Sequence, residues 1–233
     1  MIFIHGILEG PYQFHGLAEK ILDQGMSSFG ILLPGHGGSA REFAKSHRKQ
    51  WIKYVNCQIE EISKKYPQII LVGHSMGTLL SLLVCEKHEA VVGVVCLATP
   101  LSVKVSLKGF VCSLKVLTGH YSQDDEYVLA SYRAWSISKG TWGDYLKWIP
   151  RYLDLFHLIY ETKKQLPMIK KPLLFIHCQC DEFVRNRTTK ILKKKLTGDN
   201  YELIELCKSG HFYYRGDESQ TLEQAILKFV TQV

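Results

Sequence analysis

The chain has 233 residues, 46% hydrophobic and 22% charged, without a low-complexity tract or internal repeat. This fits one large α/β domain, or a core with one sizeable insertion, and excludes disordered, fibrous and solenoid classes. The formal net charge of +7 comes from scattered lysines such as Lys64-Lys65, Lys163-Lys164 and Lys193-Lys194-Lys195. These fall on predicted helices or at their ends, where they suit helix C-termini, and no nucleic-acid motif accompanies them, so no nucleic-acid partner is expected.

The seven cysteines are an odd number without zinc-like spacing. No apolar run reaches membrane-span length, and no basic leader precedes the first apolar residues. A reduced, cytoplasmic protein without integral membrane contact is expected.

Met1 to Ile4 reads as a short strand, followed by His5-Gly6-Ile7 and a helix from about Tyr12 to Gln24. Phe29 to Leu33 is a second strand ending in the loop cluster Pro34-Gly35-His36-Gly37-Gly38-Ser39. His5 and His36 read as structural loop residues. Apolar positions 51, 52, 55, 59 and 62 give a helix from about Lys49, which Pro67 ends.

Ile69-Ile70-Leu71-Val72 then runs into Gly73-His74-Ser75-Met76-Gly77, and a helical apolar pattern follows from Thr78 to His88. In that strand–turn–helix context a G-x-S-x-G motif reads as a nucleophile elbow. Gly73 and Gly77 are needed where the strand and the departing helix pass closely. Ser75 at the apex is a candidate nucleophile. The plain alternative is a Ser-Gly turn between a strand and a helix.

Val91 to Leu97 is a continuous apolar strand suited to a parallel sheet covered on both faces. From Leu101 to Lys170 the strand–helix alternation stops. This helix-prone, aromatic-rich stretch, with Trp135, Trp142, Trp148, Tyr152 and Phe156 among its rings, reads as an inserted cap over residues 101–170. Its rings mostly pack the cap, and a few can line an apolar pocket.

Pro172 to Cys178 resumes the sheet, and Gln179-Cys180-Asp181-Glu182 is the loop after it. A helix from Val184 to Leu196, a strand from Asn200 to Leu206, the loop Ser209-Gly210-His211-Phe212 and a helix from Ser219 to Thr231 close the chain. The expected architecture is α/β, a mainly parallel sheet flanked by helices, with core residues 1–100 and 171–233.

A serine hydroxyl needs a base within hydrogen-bond reach and a third group to orient that base. The order Ser75, Asp181, His211, each just after a strand, supplies such a set at one sheet edge. Glu182 is the neighbouring alternative to Asp181. His177, inside a strand, competes weakly with His211.

With these motifs the chain resembles the α/β-hydrolase superfamily over nearly its whole length. It is most similar to the small bacterial carboxylesterases and monoacylglycerol lipases. The resemblance implies Ser75 as nucleophile, His211 as base and then acid, Asp181 as orienting carboxylate, and the Ile7 and Met76 N–H groups as oxyanion hole. It implies acyl transfer from a small-molecule carboxylic ester, with no metal or organic cofactor, by a monomer or weak homodimer. Thioesters, amides or C–C bonds are alternative substrates of the same groups, and a non-catalytic small-ligand binding module is the alternative of another class.

The chain departs from the family pattern in three places. Cys178 stands where the acid loop usually has Gly, Arg185 where a Pro often follows the Val, and the early N-terminal strands are missing.

Overall fold

The computed structural model describes all residues from Met1 to Val233. Its elements are β1 (Ile2–Ile4), a 3-10 turn (Pro11–Phe14), α1 (His15–Asp23), β2 (Phe29–Ile31), α2 (Ala40–Lys45), α3 (Arg48–Ser63), β3 (Ile69–His74) and α4 (Met76–Val84). They continue with β4 (Val91–Leu97), α5 (Leu107–Thr118), α6 (Glu126–Ala134), α7 (Trp142–Leu146) and α8 (Ile149–Gln165). The chain closes with β5 (Leu173–Cys178), α9 (Arg187–Lys195), β6 (Tyr201–Leu206) and α10 (Gly216–Gln232). The six strands form one sheet in the order β2-β1-β3-β4-β5-β6, and every neighbouring pair is parallel.

Strand side chains alternate between two faces, and the two main cores follow that period. Ile2, Ile4, Leu71, Val94, Cys96 and Phe175 join one cluster with α3, α4 and part of α8. Phe3, Val72, Val95, Leu97, Leu174 and Ile176 join the other, with Ile21 of α1 and Leu222, Ile226 and Phe229 of α10. Burial on both faces explains the apolar runs at 69–72 of β3, 94–97 of β4 and 173–176 of β5.

The structure moves several expected boundaries, each for a local reason. The Leu33 N–H donates to His5 Nε2 at 3.0 Å instead of extending β2. From Ala40 to Lys45 a helix stands in a stretch to which the sequence reading gave no element. There Ser39 and Glu42 form a reciprocal capping box, whose Ser-x-x-Glu signature is present in the sequence. The helix expected from Val184 starts at Arg187, because Val184 bridges Val103 and the Arg185 N–H donates to the Ser102 carbonyl at 2.7 Å. A Pro at position 185 would lack that N–H, which accounts for one departure from the family pattern.

Four helices, α5 to α8, lie between β4 and β5. Trp148, Leu158 and Ile159 sit in the main core, and the Trp148 indole N–H donates to the Ala40 carbonyl at 2.9 Å. This segment is therefore anchored to the sheet's helical flank. Phe110, Trp142 and Tyr160, by contrast, are exposed.

Candidate active site

β3 ends at His74 and α4 starts at Met76, so a single residue makes the turn. That residue, Ser75, has φ 51° and ψ −120°, a strained conformation for a residue with a Cβ. Its N–H donates to the Leu97 carbonyl at 2.9 Å, and its carbonyl accepts the Thr78 N–H at 3.0 Å. A Cβ on Gly73 would lie 2.5 Å from the Thr78 nitrogen, as the close strand–helix passage requires. At Gly77 the crowding comes from a different neighbour: a Cβ there would overlap the Ile4 carbonyl of β1.

Asp181 and His211 come to the same end of the sheet from the loops after β5 and β6. Asp181 Oδ2 is 2.6 Å from His211 Nδ1. The other oxygen, Oδ1, accepts the N–H groups of Phe183 and Val184, both at 2.7 Å. Burial alone would push the Asp181 pKa up, but the His211 charge and these hydrogen bonds hold it below the usual carboxylate value. For His211 burial acts against the imidazolium; the Asp181 charge and hydrogen bond, with Glu9 and Glu182 behind them, outweigh it and raise the pKa.

Glu182 is also buried but does not reach the ring. Its Oε2 accepts the His211 backbone N–H at 3.1 Å, and its Oε1 accepts from Lys108 Nζ of α5 at 2.7 Å. His177 stands apart, with Nε2 3.1 Å from Asn186 Oδ1. Cys178 is the last residue of β5, fully buried and paired with Leu206.

Ser75 and His211 share the wall of one cavity of about 270 Å³ and are not hydrogen-bonded to each other. The cavity is mainly apolar: Val103, Val116, Trp135, Tyr152, Phe156 and Phe183 are among its lining residues, and Ile7 and Leu8 share that lining with Ser75. The Ile7 N–H has no backbone partner. Met76 is the first residue of α4, where an N–H has no intrahelical acceptor. Neither N–H is thus committed to the backbone ladder.

His5 and His36 serve the loops. The His5 ring accepts the Leu33 N–H, and the His36 ring packs edge-on against Phe43 and Trp51. Burial pushes their pKa values down to about 4 and about 3.

Sequence reasoning overlooked Glu9. This carboxylate is buried and faces His74, and Glu9, His74 and His211 bring one ligating atom each within 4.8 Å of one another. Oε2 of Glu9 and both ring nitrogens of His74 are occupied by hydrogen bonds within the protein, so the grouping is not left open as a metal cage.

A parallel sheet in this order, with a strained serine between β3 and α4 and Asp and His loops beyond β5 and β6, defines an α/β-hydrolase. The chain belongs to the hydrolase family described as serine aminopeptidase, S33 (Hydrolase_4), whose model matches residues 1–212. No curated protein matches it.

Solved structures extend the likeness. One, from the metagenome-derived lipolytic enzymes LipS and LipT, has a TM-score of 0.76 at 17% identity, covering 100% of this chain and 93% of the other. The monoacylglycerol lipase of Paleococcus ferrophilus has a TM-score of 0.72 at 19% identity, covering 100% and 94%. A soluble variant of the Saccharomyces cerevisiae monoglyceride lipase, in complex with a substrate analog, gives 0.75 at 16% identity, covering 99% and 85%. At these identities the likeness is one of fold. No helix is long and apolar enough to cross a membrane.

Proposed function

We propose that this hydrolase cleaves carboxylic esters with an apolar acyl group through an acyl-enzyme on Ser75. The observation that carries the reading is the apolar cavity, with Ser75 and His211 in its wall and the ring of His211 held by Asp181.

His211 Nε2 takes the Ser75 proton as Oγ attacks the ester carbonyl, and the Ile7 and Met76 N–H groups receive the oxyanion. Losing one such donor typically costs ~3 kcal/mol of transition-state stabilisation. The imidazolium, opposed by the Asp181 carboxylate, then protonates the leaving alcohol. Water hydrolyses the acyl-enzyme by the same route in reverse. Residues 101–170 act as the cap, and α5 and α8 supply much of the acyl wall.

The lining supports an acyl chain over a peptide amino terminus. Binding a free ammonium in a mainly apolar pocket calls for an unpaired carboxylate facing it. Glu9 is the one carboxylate among the lining residues, and it is already engaged by Gly6, Gln13 and His74. The seven cysteines are unpaired, which supports a reducing, cytoplasmic setting.

The test is a serine-directed alkyl phosphonate followed by peptide mass spectrometry, run beside ester turnover. Labelling of Ser75 with parallel loss of turnover is expected. Stoichiometric binding of an acyl compound without labelling or turnover would instead favour a binding module.

A further inference from the structure

The mechanism above leaves one ionisable pair at the site unused. Glu9 and His74 are each 2% exposed, and Glu9 Oε2 lies 2.8 Å from His74 Nδ1. The other ring nitrogen, Nε2, is 3.0 Å from the carbonyl oxygen of His211. The same Glu9 oxygen accepts the Gly6 N–H at 2.5 Å and Gln13 Nε2 at 2.7 Å.

The donor–acceptor inventory settles the protons. A carbonyl oxygen only accepts, so His74 Nε2 carries a hydrogen. Glu9 Oε2 already receives two N–H donors, which marks it as a carboxylate oxygen, so Nδ1 donates to it as well. A histidine whose two nitrogens both face acceptors is doubly protonated.

We infer that Glu9 and His74 form a buried carboxylate–imidazolium pair that positions the catalytic machinery, holding the Gly6 N–H at one end and the His211 carbonyl at the other. The inference rests on the proposed roles of Ile7 and His211. The Gly6 N–H lies in the peptide just before the one that carries the Ile7 N–H, and the Glu9 backbone N–H donates to the carbonyl of that second peptide at 3.4 Å, so Glu9 holds the chain on both sides of Gly6. Its carboxylate also fills the space a Cβ on Gly6 would enter, which explains why position 6 is glycine.

At the other end, His211 is clamped on both sides of its Cα: its N–H donates to Glu182 and its carbonyl accepts from His74. A buried ion pair is weak evidence for stability but well suited to fixing register. Here the register is that of three loops, those carrying Ile7, Ser75 and His211.

The charges around His211 follow from this geometry. The His74 ring centroid is 4.8 Å from that of His211 and disfavours a second imidazolium. Glu9 on the first loop, and Asp181 and Glu182 on the acid loop, favour it. His5 lies near the pair and is kept neutral by burial, and the buried Tyr214 hydroxyl has no hydrogen-bond partner. Removing His74 leaves Glu9 uncompensated, whereas removing the Glu9 charge lets His74 go neutral.

The experiment is ¹⁵N NMR of the histidine rings in the folded protein, with His74 assigned through its bonds to the backbone. The expected result is that both His74 ring nitrogens carry protons in the active enzyme, as their two facing acceptors require, and that Glu9→Gln abolishes this. In ester kinetics Glu9→Gln should lose about 100-fold, in kcat more than KM, as expected of misplaced groups, with the acid limb of the pH profile nearly unmoved. His74→Asn should move that limb to higher pH.

A neutral, single-tautomer His74 in active wild-type enzyme would overturn the inference while leaving the proposed reaction intact. Wild-type protein that turns over no acyl substrate, yet shows the doubly protonated His74, would overturn the reaction and with it the catalytic role of a pair that does exist.

Discussion

Glu182 takes the backbone N–H of His211 at 3.1 Å, and so leaves the ring of that histidine to its neighbour Asp181. Two consecutive carboxylates reach one residue from different sides and hold different atoms of it. Glu182→Gln keeps a carbonyl oxygen to accept the N–H, so the loss in kcat should stay under about tenfold. Asp181→Asn removes the partner that fixes the ring tautomer and should cost about 10⁴-fold in kcat. Steady-state kinetics of the two purified variants decides. The reverse ranking would make Glu182 the orienting acid.

The pH dependence of kcat/KM follows from the raised pKa of His211. A base must be neutral to accept the Ser75 proton, and a raised pKa keeps the ring charged to higher pH. The midpoint of the acid limb should therefore lie above about 6.5, the unperturbed value. In Asp181→Asn, where burial acts without the compensating charge, the residual activity should show its limb at lower pH. A flat profile down to about pH 4 would rule out a histidine base.

Acid stability follows from two other histidines. Burial pushes His5 down to about 4 and His36 down to about 3. The unfolded chain binds their protons below about pH 6.5 while the folded protein does not, so stability falls as the pH drops through that window. For His5 the full loss is on the order of 3 kcal/mol. His211 contributes in the opposite sense, stabilising below the unfolded value and losing that contribution above its folded one. Asp181 and Glu9, with lowered pKa values, lose theirs only as the pH falls through the carboxylate range. Thermal melts should show Tm falling from pH 7 to pH 4.5. His36→Phe, which keeps a ring against Phe43 and Trp51, should flatten that fall. An unchanged slope in the variant would contradict the assignment.

Gly77→Ala sets a side-chain carbon into the Ile4 carbonyl, and neither backbone can yield within a buried parallel sheet. Overpacking of this kind should destabilise by roughly 3 kcal/mol or more. Gly16, inside α1 with open space around it, is the control: Gly16→Ala should stabilise by roughly 0.5–1 kcal/mol. Urea midpoints of both variants check the pair.

The sheet and the elbow were legible because their causes are local. Val91 to Leu97 is apolar on both faces, and Gly73 to Gly77 carries its turn chemistry in five residues. The Ser39–Glu42 capping box was equally legible, and only the Gly-rich run before it obscured α2. What lay hidden depends on distant partners. Glu9 reads as an ordinary loop residue until the fold brings His74, 65 positions away, to its side. Val184 and Arg185 looked helical, and Ser102 and Val103 hold them out of the helix. Among the aromatic residues of 101–170, Trp135, Tyr152 and Phe156 line the cavity, the last two while staying exposed at its rim, whereas Trp142 and Tyr160 are exposed and take no part in it. Composition does not distinguish them.

The most direct test of the central claim is hydrolysis of a chromogenic ester series from acetate to dodecanoate, with Ser75→Ala as the blank. The account predicts an optimum at one chain length, set by the apolar cavity, and loss of all turnover in the folded variant. Substantial activity remaining in Ser75→Ala, or no activity across the series from folded wild-type protein, would contradict it.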